Sequence, residues 1–193
     1  MSLRILAGQR RGLKLAAPED RSLRPTSARA REALFNRLRD RWGDPSDLAF
    51  LDVFAGTGAV GLEALSAGFD HVTFIENDPA ALRLLEKNRQ LMNAPHNSRV
   101  LRQDASKLGP SFRRFDVVYL DPPYGSGLIG PALNGLVRQA WLAEEAWLIV
   151  ELERKGEVVP PPGLELEETR GYGAGKLGFL TNRPPPRPEV PSP

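Results

Sequence analysis

The chain has 193 residues, no cysteine and a formal charge of +2 at pH 7. That length suits one main domain with a substantial core. The lack of cysteine excludes disulfides, zinc–thiolate sites and a thiol nucleophile, and no apolar run reaches the length of a membrane span.

The opening residues Met1 to Gly8 are too short in their apolar run for a signal peptide, so a cytoplasmic protein is expected. Charge is unevenly spread. Residues 1 to 41 carry eleven Arg or Lys against four acids, a net of +7, which leaves −5 for the rest. Such a split points to a polyanion, RNA or DNA, held at one end of the molecule. Arg4 to Gly8 and Leu13 to Ala16 read as two short strands around Gln9-Arg10-Arg11-Gly12, a hairpin with a basic tip that leans on the main domain. Pro18 to Pro25 reads as an irregular link. Thr26 suits the N-cap of a helix whose stripe is Ala30, Ala33, Leu34 and Leu38, with Arg29, Arg31, Arg37, Arg39 and Arg41 off the stripe and available to phosphates.

Leu48 to Val53 is the next strand. It runs into Gly56-Thr57-Gly58-Ala59-Val60-Gly61 and a helix that stops near Gly68. His71 to Glu76 is a second strand, and Pro79 opens a helix behind Asn77 or Asp78 with Leu82, Leu85 and Met92 inward. Val100 to Gln103 is a brief third strand closed by Asp104, and Phe115 to Leu120 a fourth. A helix around Ala132 to Ala140 and a strand Ala146 to Leu152 follow. Leu164 to Arg170 and Lys176 to Leu180 flank Gly171-Tyr172-Gly173-Ala174-Gly175 as a terminal antiparallel hairpin. Alternating strands and helices predict an α/β, doubly wound, mostly parallel sheet. Three segments are expected: a basic extension over 1–41, the main domain over 42–183 and a Pro-rich mobile tail over 184–193.

The fourth strand ends unusually, in Asp121-Pro122-Pro123-Tyr124. Asp121 is an acceptor at the carboxyl edge of the sheet, where ligands of open α/β folds sit. The prolines restrict the backbone and hold its carbonyls stiffly, and Tyr124 offers a flat face. Carboxylate, carbonyl and ring together suit a planar base with an exocyclic amino group, stacked at about 1–3 kcal/mol. Held so, the amino nitrogen becomes tetrahedral and its lone pair can be aimed at an electrophile.

The glycine loop satisfies G-x-G-x-x-G between strand and helix, a pattern shared by dinucleotide sites. Asp52 shifts the balance. Four residues before the first glycine, it disfavours a pyrophosphate and attracts an ammonium. S-adenosylmethionine has that ammonium, a sulfonium and no phosphate. Glu76 is placed to accept two ribose hydroxyls, although it would serve NAD equally well. Asp104 can accept from an adenine amino group, with Ala105 leaving room for the ring. Each acid can also be read as a cap or a solvated strand end.

These residues resemble the class I S-adenosylmethionine-dependent methyltransferases, and within them the RsmD family of 16S ribosomal RNA guanine-N2 methyltransferases. The match rests on Arg4-Ile5-Leu6-Ala7-Gly8 with Arg11-Gly12, Arg24-Pro25-Thr26 with Arg29, Arg31 to Asn36, Leu51 to Gly58, and Asp121-Pro122-Pro123-Tyr124. It runs from Arg4 to about Leu180, with Thr57 where serine is common. The resemblance implies a Rossmann-like sheet of seven strands and transfer of a methyl group to N2 of the guanine numbered 966 in 16S rRNA, within the small subunit or a late precursor. It assigns Asp121, Pro122 and Tyr124 to catalysis, and Asp52, Phe54, Ala55, Gly56, Gly58, Glu76, Asn77, Asp104 and Ala105 to the cofactor. Arg10, Arg11, Lys14, Arg24, Arg29 and Arg31 are expected on RNA, no metal is expected, and the protein is expected to be a monomer.

Other readings are an adenine-N6 methyltransferase on DNA or RNA, an NAD-dependent oxidoreductase suggested by the glycine spacing, and a non-catalytic ribosome-assembly factor. His71 and His96 read as structural or solvated. Tyr172 and Lys176 read as hairpin packing residues that can also reach the RNA side of the pocket.

Overall fold

The computed structural model of the chain describes residues 3–18, 28–94, 96–172 and 175–183. Within them the strands β1 (Ala49–Val53), β2 (His71–Glu76), β3 (Ser98–Arg102), β4 (Phe115–Leu120), β5 (Leu142–Glu153), β6 (Leu164–Tyr172) and β7 (Gly175–Asn182) form one sheet in the order β3-β2-β1-β4-β5-β7-β6. The first five in that order are parallel, and β7 runs antiparallel to both β5 and β6. The helices are α1 (Ala28–Trp42), α2 (Ala59–Ala67), α3 (Pro79–Leu91) and α4 (Ile129–Arg138). The expected doubly wound sheet with its antiparallel terminal hairpin is borne out. Strand order reverses at β1 and β4, and a crevice opens between their carboxyl ends.

Local chemistry explains the boundaries. All five residues of β1 are buried, as a strand between two parallel neighbours with both faces covered must be. Gly68, at φ 107°, closes α2 in a conformation that a side chain would strain. Asp78, rather than Asn77, caps α3: its side chain accepts from Ala81 N at 2.7 Å, with Pro79 at the first helical position. β5 starts earlier than expected. It pairs Leu142 with Phe115, bulges through Glu145 at φ 58°, and resumes with Trp147 opposite Val117. The two glutamates before Ala146 broke the apolar run that marks a buried strand.

Alternation along the strands builds two cores. Phe50, Val72, Phe74, Val117, Tyr119, Ile149 and Phe179 face α1, α2, α3 and the N-terminal segment. Leu51, Val53, Ile75, Val118, Leu148 and Val150 face α4 and the 3-10 turn Ala105–Lys107. The N-terminal segment is a short hairpin that reverses through the 3-10 turn Gly8–Arg10, with Arg4 bridged to Lys14. Leu3, Ile5 and Leu15 are buried in the same core as Leu34, Phe35 and Leu38 of α1.

Polar contacts fasten this hairpin to the helices. The Glu63 carboxylate of α2 accepts from Leu6 N at 2.9 Å and Ala7 N at 2.8 Å. Ser66 Oγ accepts from Arg10 N at 3.0 Å and donates to Ala7 O at 2.5 Å. Asn88 of α3 grips both backbone groups of Ala16 and also donates to Thr57 O. Gly8 lies so close to α2 that a Cβ there would sit 1.8 Å from Ser66 O.

The role expected for the α1 arginines needs correcting. The buried stripe of that helix is Ala30, Arg31, Leu34, Phe35 and Leu38, while Ala33 is only half-buried. Arg31 therefore points inward, 2% exposed, 3.8 Å from Glu63 and donating to Arg4 O at 3.1 Å. It is not placed to meet RNA phosphates. Burial lowers its pKa, while Glu63 and Tyr119 counter the shift; burial likewise raises that of Glu63, against the N–H groups of Leu6 and Ala7 and the charge of Arg31. Arg37 pairs with Glu168 and Arg41 with Glu167 on β6, and their guanidinium groups lie over Phe179 and Trp147 at 4.6 and 4.8 Å. The expected Thr26 cap, the link from residue 19 onward, Gly173 and Ala174, and the Pro-rich tail lie outside the described residues.

Removing one partner of a buried, hydrogen-bonded ion pair strands the other charge. Glu63→Ala is expected to cost about 3–5 kcal/mol of stability and to abolish hydrogen-exchange protection at the Leu6 and Ala7 amides. Protection that survives the substitution would show that the hairpin is held by its apolar contacts alone.

Candidate active site

The crevice at the carboxyl edge holds a cavity of about 510 Å³ lined from every strand end around the switch point. The pairing registers set its geometry. Asp52 is level with Tyr119, Val53 with Leu120, and Leu120 with Val150, so Phe54, Asp121 and Glu151 follow side by side on β1, β4 and β5. Of the expected residues, Asp52, Phe54, Ala55, Gly56, Glu76, Asn77, Asp104, Ala105, Asp121, Pro122 and Tyr124 all line this one space.

Asp52, Glu76 and Asp104 already have structural duties. Asp52 is 2% exposed and accepts from Gly61 N at 2.8 Å across the start of α2. Burial pushes its pKa well above the usual carboxylate range against that hydrogen bond, and the charges of Asp121 and Glu76 push the same way. Glu76 accepts from Gly56 N at 2.7 Å, Asn77 N at 2.7 Å and Asp78 N at 2.8 Å, pinning the glycine loop to the end of β2. Asp104 accepts from Ser106 Oγ at 2.7 Å and Ser106 N at 2.9 Å, bonds that hold its pKa below the ordinary value. Capping and ligand reading are compatible through the lone pairs left over: Asp104 keeps those of Oδ2, and Glu76, with Oε1 filled by Asn77 and Asp78, keeps one on Oε2.

Phe54 is at φ 62°, a conformation costing a side-chain-bearing residue about 1–3 kcal/mol and typical of sites where the backbone is shaped for a ligand. Gly56 borders the cavity, and a Cβ there would meet nothing within 4 Å. Gly58 does not line the cavity. It is buried at φ 78°, and a Cβ would lie 2.3 Å from Leu85 Cδ1, so this glycine lets α2 pack on α3. Pro123 O accepts from Ser126 N at 3.2 Å, closing the turn after β4.

Sequence reasoning passed over Glu151. It lies half-buried near the end of β5, level with Asp121, accepting from Tyr119 Oη at 2.7 Å and Tyr124 Oη at 3.2 Å. It is a fifth acid at the end of a fifth parallel strand, and the run Trp147 to Val150 before it was the available signal. Tyr172 lines the cavity. Arg10, Arg11, Lys14 and Arg29 are exposed, and Arg24 lies outside the described residues.

The set of donors and charges suits S-adenosylmethionine. Asp52, Glu76 and Asp121 repel one another and would repel a pyrophosphate, whereas an ammonium and a sulfonium relieve that repulsion. Fold and site together are those of a class I S-adenosylmethionine-dependent methyltransferase. The family described as "conserved hypothetical protein 95" matches residues 3–181, and the chain belongs to it, in agreement with the resemblance to the RsmD family. "Ribosomal RNA small subunit methyltransferase D" of Escherichia coli (strain K12) is 40% identical over 181 residues, covering 91% of this chain and 88% of that one. The protein of the same name from Haemophilus influenzae is 37% identical, over 91% and 92%. The solved structure of "putative methyltransferase yhhF from Escherichia coli" superposes with a TM-score of 0.81 at 34% identity, covering 95% and 99% of the two chains.

In the folded protein Asp52 holds its proton to higher pH than in the unfolded chain. Its contribution to stability therefore falls as pH rises from the unfolded carboxylate value, about 4, through the raised folded value. Asp52→Asn keeps an oxygen for Gly61 N–H. It is expected to raise the melting temperature of the ligand-free protein near neutral pH, with the gain vanishing towards about pH 4, and to weaken S-adenosylmethionine binding about tenfold or more. Thermal scans across pH and calorimetric titration check both; a variant no more stable than the parent at neutral pH contradicts the assignment.

Proposed function

We propose that this protein transfers the methyl group of S-adenosylmethionine to the N2 amino group of guanine 966 in 16S rRNA. The observation that carries the reading is the meeting of Asp121-Pro122-Pro123-Tyr124 with Asp52, Glu76 and Asp104 around one cavity. The RNA comes from the relatives, which are named for methylation of ribosomal RNA of the small subunit.

S-adenosylmethionine supplies an electrophilic methyl group on its sulfonium. Asp52 would take its ammonium, directly or through water, Asp104 the adenine amino group, and Glu76 a ribose hydroxyl through the site left on Oε2, or both hydroxyls if the glycine loop gives up the Gly56 N–H bond. The target guanine, unpaired or flipped from its helix, stacks on Tyr124, which is 40% exposed at the mouth. Asp121 and the Pro122 carbonyl accept the two N2 hydrogens, so the nitrogen lone pair projects from the base plane toward the methyl carbon. The proton released goes to Asp121 or to solvent.

Exposed Arg10, Arg11, Lys14 and Arg29, with Arg24, hold phosphates and orient the RNA. The hairpin tip packs on Ser66 near the end of α2 remote from the glycine loop, so it stands about one helix length, roughly 13 Å, from the catalytic edge. The small subunit or a late precursor as acceptor follows from the resemblance to the RsmD family. No helix among the described residues is long and apolar enough to cross a membrane. The protein acts as a monomer in the cytoplasm, where these particles are assembled.

Methyl transfer from labelled S-adenosylmethionine to small subunits, naked 16S rRNA and DNA tests the reading, with nucleoside analysis of the product. The expected product is N2-methylguanosine in 16S rRNA, lost by about a hundredfold or more in Asp121→Ala while the fold and cofactor binding persist. Label in N6-methyladenosine would overturn the substrate, and methylation undiminished in Asp121→Ala would overturn the mechanism.

A further inference from the structure

Guanine poses a recognition problem that Asp121 and Pro122 do not solve. If they accept the two N2 hydrogens, as the proposed function has it, the adjoining ring nitrogen N1 still carries a hydrogen that needs an acceptor. Adenine and cytosine differ at this point. The ring nitrogen beside their amino group is itself an acceptor. A second carboxylate set next to the first therefore matches guanine and opposes the other two amino bases.

Glu151 meets that description. Leu120 is level with Val150 on adjacent parallel strands, which puts Asp121 and Glu151 next to each other, about 4.8 Å apart at the backbone. Both are two residues beyond members of the first core, Tyr119 and Ile149, so they share its face of the sheet. Glu151 lines the main cavity, and it also lines a smaller space of about 260 Å³ beneath the Tyr124 turn.

Its side chain is held in place. Oε2 accepts from the hydroxyl of Tyr119, which is 1% exposed and fixed by the core, and Oε1 accepts from the hydroxyl of Tyr124. Two donors on opposite oxygens remove the rotamer freedom that a glutamate would otherwise keep, and each oxygen retains a second lone pair. The bond to Tyr124 joins the carboxylate to the ring on which the base stacks.

We propose that Glu151 is the specificity-determining residue of the acceptor pocket: it accepts the N1–H of the target guanine while its tether to Tyr124 sets the plane of the stacked base. The simpler role, satisfying the buried Tyr119 hydroxyl, predicts no dependence on the base.

The test uses small subunits assembled with 16S rRNA carrying either guanine or 2-aminopurine at the target position. The analogue keeps the 2-amino group and has an acceptor at N1. The expected kcat/KM of the parent favours guanine by about tenfold to a hundredfold. Glu151→Gln keeps an oxygen for the Tyr119 hydroxyl and adds an amide donor that can meet the acceptor at N1. It is expected to bring the ratio near one, with S-adenosylmethionine affinity unchanged. A parent ratio near one overturns the inference, whatever the folding of the variant. So does a Glu151→Gln protein slowed equally on both bases. A parent that transfers no methyl group to N2 of guanine overturns the proposed function and this inference together. An active parent with an unshifted ratio overturns this inference alone.

Discussion

The Glu63 carboxylate is the buried charge at the centre of the contacts that join the N-terminal hairpin to α1 and α2. It accepts two consecutive backbone N–H groups from the hairpin and faces Arg31 of α1, all within a region closed to water. A carboxylate without these partners would not be tolerated there, and the hairpin, short as it is, depends on Glu63 together with Ser66 and Asn88 for its place on the helices. The seating of α1, and with it the placement of Arg37 and Arg41 over the aromatic wall of Trp147 and Phe179, follows from this weld. The hairpin over residues 3–18 and the helix α1 are therefore part of the same core as the sheet.

The same economy of carboxylates governs the site. Asp52, Glu76 and Asp104 each hold backbone in place: the start of α2, the glycine loop and the turn after β3. They also surround the space that a cationic cofactor fills. Asp52, the most deeply buried, holds its proton more tightly than an ordinary carboxylate, first because it is buried and then because Asp121 and Glu76 lie near it. A ligand that brings positive charge stabilises the arrangement by removing the repulsion, so binding and order at this edge are linked.

The sequence was most legible where one interaction decides the outcome. Phe115 to Leu120 and His71 to Glu76 read as strands because both faces are buried, and the structure starts and ends them at those residues. Asp121-Pro122-Pro123-Tyr124 lies at the carboxyl end of β4 and lines the cavity there, as its place after a buried strand led one to expect. Reading failed where two demands met at one position. Arg31 looked like a phosphate contact because arginine is rarely buried, yet it is central to the inner stripe of α1 and has Glu63 as partner. Gly58 belongs to a ligand motif by spacing and serves helix packing by position. Glu151 was hidden because a strand that continues past an acid gives no sign that the acid faces a cavity.

The hairpin's attachments also bear on how the protein comes into being. Leu6 bonds to a residue 57 positions later, Ala7 to one 59 later and Ala16 to one 72 later. During synthesis these first residues emerge well before α2 and α3 exist to receive them. Leu3, Ile5 and Leu15, all buried at the end, must wait in water or on a chaperone while some seventy further residues are made. The hairpin thus leaves the ribosome ahead of the helices that receive it and is among the later parts of the chain to find its place.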